Sequence, residues 1–172
     1  MQLQIEKLEH LKVLNFYVPF KLTKSAILLK PNESENPKFV QNIFGACGGV
    51  HCLLTSELLA FRYDETSDAE TARLLIMAEL EDFFADSEDL HKLNVTNDAF
   101  ELAQAVADSF IRPTLNRDKG DLELIELDND VLMVKFTGHC AGCPFAQNTL
   151  NNVIIKTFNH YIPQIKEIRL QE

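Results

Sequence analysis

Two cysteines spaced two residues apart, Cys140 and Cys143, are the residues of this chain best suited to chemistry. A thiolate, rather than a thiol, binds a soft metal or attacks an electrophile. Gly138 and Gly142 adjoin the pair and allow the backbone to turn tightly. Pro144 suits the first position of a helix, which would place Cys143 at the helix cap. Because the free amides at a helix start lower a cysteine pKa, we expect thiolates here.

The pair supplies only half of the ligands of an ordinary soft-metal site. Structural zinc takes four ligands, and iron–sulfur clusters usually take four cysteine thiolates. A second copy of the chain, the remaining cysteines Cys47 and Cys52, or non-protein thiols could complete the set. Cys47 lies at a Gly-rich turn and Cys52 in a predicted strand, so we expect both to pack as small apolar residues. His139 is a candidate third ligand, but if it continues the preceding strand its side chain points away from its neighbour, Cys140.

The composition of the chain argues against several classes of function. The chain has 172 residues, of which 46% are hydrophobic and 24% charged, and its net charge is −10. Such an acidic chain is a poor binder of nucleic acid or anionic membrane, both of which need clustered Lys and Arg. No apolar run approaches the roughly 20 residues of a spanning helix, and no leader precedes the first acidic residues. We therefore expect a cytoplasmic protein, whose cysteines are metal or redox ligands rather than disulfides.

The pattern of the chain predicts the α+β class, with two small domains. Residues 1–88 carry strand-like runs, a short helix, a hairpin over 50–63 and a capped helix. Residues 89–96 are polar and predict a linker. Residues 97–172 predict helix–strand–strand–helix–strand, with a three-stranded sheet packed on two helices.

The second domain is organised around the cysteine turn. Asp98 is a helix cap, and Arg112-Pro113 should disturb the end of the helix that it opens. Strands are predicted over 122–127 and 131–137, and the cysteine turn follows the second directly. A helix from 144 to about 160 and a last strand over 165–170 complete the pattern.

Residues 97–170 resemble the NifU C-terminal-like domain of the Nfu iron–sulfur carrier family. The features that carry the resemblance follow one another in the family's order: Arg112-Pro113, Asp118-Lys-Gly-Asp121, Gly138-His-Cys140-Ala-Gly-Cys143-Pro144, Thr149-Leu150 and Ile162-Pro163. Lys119 stands where the family commonly has a second Gly. Residues 1–88 resemble the Nfu N-terminal domain, and there Cys47 and Cys52 occupy positions that are usually apolar in the family.

The resemblance implies a cluster carrier rather than an enzyme. Cys140 and Cys143 of two subunits would bind one 4Fe–4S cluster across a homodimer interface. An upstream cluster scaffold would supply the cluster, and apo iron–sulfur proteins would accept it by ligand exchange.

Two other functions stay open from the residues alone. A thioredoxin-like dithiol oxidoreductase would use Cys140 as nucleophile and Cys143 as resolving thiol. The predicted element order lacks a βαβ unit before the motif, and the chain has no Trp, which disfavours this enzyme. A zinc-stapled structural module is the other alternative, and the metal content of the purified protein separates the three functions.

Overall fold

The chain divides into two compact units, residues 1–96 and 97–172. The structure is a computed structural model that describes residues 3–19, 21–86, 90, 93, 95–144 and 146–171, without the side chains of residues 86, 146, 147 and 151. The predicted linker, residues 89–96, includes positions outside the described residues. No helix in the described part of the chain has the length and apolar character that a bilayer crossing requires.

The N-terminal unit is built on an antiparallel sheet of five strands in the described residues, in the order β1-β2-β5-β4-β3. In chain order its elements are β1 (Gln4–Leu8), β2 (Val13–Tyr17), β3 (Ile27–Leu29), α1 (Lys38–Cys47), β4 (His51–Leu54), β5 (Leu58–Arg62) and α2 (Ala69–Asp86). The predicted hairpin over 50–63 is confirmed as the antiparallel pair β4–β5. β1 was not predicted, because its polar residues suit an edge strand that gains its hydrogen bonds from β2.

Apolar side chains of the sheet and both helices form one core in this unit. Phe16 and Phe61 from the sheet and Ile43 and Ile76 from the helices are fully buried members of it. Burial of such side chains stabilises the unit by about 1.5–3 kcal/mol each. The core therefore fixes how α1 and α2 lie on the sheet.

The C-terminal unit has the predicted order of helix, two strands, helix and strand. Its elements are α3 (Ala99–Val106), a π-helical turn (Ala107–Ile111), α4 (Arg112–Asn116), β6 (Gly120–Asp128), β7 (Val131–Gly138), α5 (Ala146–Thr149), a second π-helical turn (Leu150–Ile154), α6 (Ile155–Tyr161) and β8 (Glu167–Leu170). The sheet order is β6-β7-β8, antiparallel between β6 and β7 and parallel between β7 and β8. The predicted α+β class with a three-stranded sheet is confirmed.

Local sequence signals place these elements. The Asp98 carboxylate accepts hydrogen bonds from the amides of Phe100 and Glu101, at 3.0 and 2.9 Å, which confirms the predicted cap. Leu132, Val134 and Phe136 alternate along β7 and are buried, as their period of two predicts.

Near Arg112-Pro113, where the helix is predicted to be disturbed, a π-helical turn interrupts the α-helix without ending the helical segment. It continues through α4 to Asn116, because a π-helical turn precedes the proline and the Arg112 amide donates to the Ala107 carbonyl. Pro113 then lies in the first turn of α4, where its missing amide hydrogen costs little.

Candidate functional site

The cysteine turn begins where β7 ends. Gly138, the last residue of β7, is paired with Gly120, the first residue of β6. Backbone hydrogen bonds from His139 to the Lys119 carbonyl, at 3.0 Å, and from Ala141 to the Gly138 carbonyl, at 3.1 Å, hold the chain as it leaves the sheet. The Cys143 amide donates to the Cys140 carbonyl at 3.3 Å and closes a turn that contains both cysteines. The two predicted thiols therefore lie on one short turn at the end of β7, the central strand of the sheet.

The position of the Cys140 sulfur depends on Gly120. A Cβ atom built on Gly120 would lie 2.0 Å from Cys140 Sγ and 3.1 Å from Cys140 Cβ. The Cys140 side chain consequently occupies the space that any other residue at position 120 would need. This role of Gly120 was not predicted from the sequence, where the residue lies 20 positions before Cys140.

Gly138 is required by the backbone itself. Its φ is +59°, and an added Cβ would lie 2.5 Å from the Lys119 carbonyl oxygen. Residues other than glycine rarely adopt this conformation, and the neighbouring carbonyl leaves no room for a side chain. Lys119 itself has a φ of 57°, so the position where the family commonly has glycine still adopts the left-handed conformation.

Both thiols are free and half-buried. The pKa of Cys140 is raised above its ordinary value, chiefly because burial disfavours the thiolate, and further by the negative charges of Cys143, Asp118 and Asp121. The predicted preference for thiolates therefore does not extend to Cys140, where burial and these charges favour the protonated thiol and raise its pKa.

The predicted cap at Cys143 stays a prediction. The described helix begins at Ala146, and residue 145 lies outside the described residues. The spacing of apolar residues also predicts that Ala146 lies on the core face of this helix, but its side chain is outside the described part of the structure.

An ion-pair network lies at the start of β6, the strand that pairs with β7. Arg112 Nη1 lies 3.2 Å from Asp121 Oδ2, and Arg112 Nε lies 2.9 Å from Asp108 Oδ1. Asp108 is only 6% exposed, so it requires a cationic partner. Asp121 follows Gly120 directly, so this network anchors the first residues of β6. It therefore also fixes the position of Gly120, against which the Cys140 side chain packs. Asp108 was not predicted from the sequence; the available signal was an acidic residue four positions before an Arg in a predicted helix.

The other candidate ligands are elsewhere or exposed. Cys52 is fully buried in β4 between Leu29 and Phe61 on the neighbouring strands, and Cys47 is half-buried at the end of α1, both in the N-terminal unit. His139 is exposed. Among the described residues, no group of three or more His, Cys, Asp or Glu side chains lies close enough to hold a metal ion. The roles of these residues as ligands are not tested by the structure.

The C-terminal unit is thus a small α+β domain that presents two reduced thiols on a strand-to-helix turn. Two thiolates at this spacing can bind one iron or zinc ion. They can also supply half of the ligands that a cluster needs.

Comparison with known proteins identifies the family. Residues 104–169, which include both cysteines of the turn, match the family model of the NifU-like domain. The chain is 37% identical over 71 residues to nitrogen fixation protein NifU 2 of Rhodobacter capsulatus, an alignment that covers 40% of this chain and 49% of that protein. It is 56% identical over 43 residues to nitrogen fixation protein NifU of Azotobacter chroococcum mcd 1, covering 25% of this chain and 14% of that protein.

A longer alignment is found with a protein of Drosophila persimilis described as the mitochondrial NFU1 iron–sulfur cluster scaffold homolog. The two are 25% identical over 123 residues, which cover 66% of this chain and 44% of that protein. The chain thus spans less than half the length of these curated relatives. Residues 104–169 thus match the NifU-like domain, and the relatives carry the NFU1 and NifU names, in agreement with the predicted resemblance.

Proposed function

We propose that this chain carries an iron–sulfur cluster on Cys140 and Cys143 and transfers it to apo-proteins. The observation that carries the proposal is a pair of free, half-exposed thiols on one turn, inside the segment that matches the NifU-like domain. The Drosophila relatives described as iron–sulfur cluster scaffolds support the same cargo. In this role the two cysteines are ligands, and the chain acts as a carrier rather than as an enzyme.

We further propose that two copies of the chain hold one 4Fe–4S cluster between them. Such a cluster usually takes four cysteine thiolates, and one turn supplies two. Both thiols are only half-buried, so the same turn of a second copy can approach the same iron atoms. Cys52 is fully buried in its own unit and is a poor alternative ligand. The cluster-loaded form is then a homodimer whose cargo lies at the interface.

Transfer follows from ligand exchange at iron. Thiolates of the acceptor replace Cys140 and Cys143 one at a time, so that one iron–sulfur bond forms as another breaks and no electron is transferred. The released Cys140 thiolate takes up a proton, which burial and the charges of Asp118 and Asp121 favour because they raise the pKa of this thiol. An upstream scaffold protein supplies the cluster, and apo iron–sulfur proteins receive it.

The carrier requires reduced thiols, which the cytosol maintains. We place the chain in the cytoplasm on this ground. The Drosophila relatives are described as mitochondrial, so the cytoplasmic location of this chain is a proposal that the comparison does not supply.

Anaerobic reconstitution with iron and sulfide tests the proposal. We expect about four iron and four sulfide per two chains, in a dimer with visible cluster absorbance. Cys140→Ser and Cys143→Ser should each abolish both the absorbance and the cluster-dependent dimer. Cys47→Ser is the matched control, because it also removes one half-buried thiol but leaves the turn intact.

Three results would overturn parts of the proposal. A monomer with a complete cluster would exclude the bridging arrangement. Cys47 and Cys52 would then be the candidates for the two remaining ligands. Zinc bound in place of iron would favour a structural module. A protein that takes up no iron and instead cycles between a dithiol and a Cys140–Cys143 disulfide would favour the oxidoreductase.

A further inference from the structure

A cavity in the N-terminal unit has no part in the proposed cluster site. It has a volume of about 640 Å³ and is lined by the loop around 31–36, the second half of α1, the glycines that follow α1, and Asp64. This volume lies within the range of small-ligand sites.

The strongest sign of a ligand is the amide of Asn36, which lines the cavity and is only 5% exposed. Asn36 Nδ2 donates to the Lys30 carbonyl at 2.7 Å, which fixes the orientation of the amide, since a flipped amide would bring two acceptors together. Asn36 Oδ1 is then a buried acceptor that, within the described structure, receives no hydrogen bond. Buried acceptors are nearly always paired, so the side chain of Asn36 brings an unmet hydrogen-bond requirement to the lining of the cavity.

The charges that line the cavity are negative. Asp64 and Glu33 are both lining residues, and no lining residue that the structure describes is Lys, Arg or His. Asp64 Oδ1 accepts hydrogen bonds from the Thr66 amide, at 2.8 Å, and from the hydroxyls of Thr66 and Ser67, at 2.6 and 3.0 Å. These bonds lower the Asp64 pKa and keep its carboxylate ionised. The complementary ligand is a cation that carries hydrogen-bond donors and no acceptor.

We propose that this cavity binds a guanidinium group, presented by an arginine of a partner protein or by a small guanidine compound. A guanidinium has five N–H donors in a plane and no acceptor, which matches a cavity lined by the Asn36 side chain and by the carboxylates of Glu33 and Asp64. Phe44 also lines the cavity, and guanidinium planes stack on aromatic rings more readily than ammonium groups do. The proposal is independent of the cluster site and stands whether or not the chain binds iron.

Gly45 offers a way to close the cavity without disturbing the fold. It lies in α1 and lines the cavity, and a Cβ built on it meets no atom within 4 Å. Gly45→Leu therefore adds bulk at the cavity wall and replaces a helix-destabilising glycine by a good helix former.

Calorimetric titration of the full chain tests the proposal, with a capped Ala-Gly-Arg-Gly-Ala peptide as probe. Peptides with Lys or citrulline in place of Arg, and N-acetyl-arginine amide alone, are the comparison ligands. We expect the Arg peptide to bind about tenfold more tightly than the neutral citrulline peptide, since charge-assisted hydrogen bonds are lost in the latter. Gly45→Leu and Glu33→Gln should weaken binding of the Arg peptide. Glu35→Gln is the matched control, because it removes the same charge from the same loop outside the cavity lining.

The comparison ligands distinguish an arginine of a partner protein from a small guanidine compound. Tighter binding of the peptide than of N-acetyl-arginine amide would indicate a protein partner, and equal binding would indicate a small guanidine compound. Equal affinity for the Arg and citrulline peptides, or for the Arg and Lys peptides, would overturn the assignment to guanidinium. Absence of saturable binding at millimolar peptide, or unchanged binding by a Gly45→Leu protein of intact helix content, would exclude the cavity as the site.

Discussion

Gly120 and Cys140 show how one residue without a side chain can position a chemical group on another strand. The Cys140 sulfur rests where a Cβ at position 120 would be. Nothing in the spacing of the two cysteines requires this contact, because the residues are 20 positions apart and meet only when β6 pairs with β7. The site therefore depends on a glycine outside its own motif.

The first prediction concerns Gly120→Ala. The added methyl group cannot coexist with a sulfur 2.0 Å away, and the cheapest relief is a new rotamer of Cys140 rather than a change of fold. We expect the half-life of the reconstituted cluster to fall by about tenfold, while the melting temperature changes by less than about 4 °C. Gly45→Ala, which meets nothing within 4 Å, is the control. A cluster as durable as that of the wild type would contradict the positioning role of Gly120.

The second prediction concerns Cys52, whose burial raises its pKa well above that of an unfolded thiol. The fold favours the protonated thiol, so the stabilisation is complete below about pH 8.5 and is lost as the pH rises above it. The free energy of unfolding should then fall by up to about 1.4 kcal/mol per pH unit relative to a Cys52→Ala variant. Urea unfolding of both proteins between about pH 7 and pH 10 measures the difference. Parallel stability curves would show that Cys52 does not stay protonated in the fold.

At the scale of elements, the two π-helical turns lie in the helical segments before β6 and after the cysteine turn. The first allows the helix to pass Pro113 and places Arg112 between Asp108 and Asp121. A single helical segment is thereby tied to the start of β6. π-Helical turns of this kind are frequent at functional sites, and here the turn supports the strand that carries Gly120.

The third prediction tests that connection. Arg112→Ala removes the cation from Asp108, a buried carboxylate, and we expect a loss of about 3 kcal/mol in the free energy of unfolding. Asp108→Asn in the same variant should recover part of this loss, because it removes the buried charge. Arg169→Ala is the control, since its ion pair with Glu167 is exposed and such pairs contribute little. Chemical denaturation provides the measurement, and an equally small effect of Arg112→Ala would contradict a structural role for the network.

At the scale of the whole molecule, the chain consists of two units, each with its own sheet. The cysteine turn, its supporting glycines and the Arg112 network all lie in residues 97–172. The cavity around Asn36 and the buried Cys52 lie in residues 1–96. Cluster binding and guanidinium binding are therefore predicted to be properties of different units.

The fourth prediction follows from this division. A fragment of residues 97–172 should fold and take up iron and sulfide with the same dependence on Cys140 as the full chain, because every residue argued to shape the turn is present. Circular dichroism reports the folding of the fragment, and iron content with solution mass reports the cluster. A folded fragment that takes up no iron, beside a full chain that does, would mean that the N-terminal unit contributes to the site.

Several features of the fold were accessible from the sequence because their signals are local. The Asp98 cap depends on amides two and three residues away, and the alternation in β7 depends on successive residues along one strand. The hairpin over 50–63 has its turn and both strands within a few residues. β1 lacked such a signal, since its polar residues describe an edge strand whose stability comes from its neighbour.

The sequence by itself determined the α+β class, the order of elements in residues 97–172, and the pair of thiols on a turn after β7. Only the tertiary structure decided that Gly120 lies beneath Cys140, that Arg112 joins Asp108 to Asp121, and that an acceptor of Asn36 is left unpaired in a cavity. It also decided that the Cys140 pKa is raised, because burial and Asp118 act through space rather than along the chain. Hydrophobic periodicity and helix caps depend on residues that are close in the sequence. Contacts between strands and the desolvation of side chains arise only when distant segments pack together.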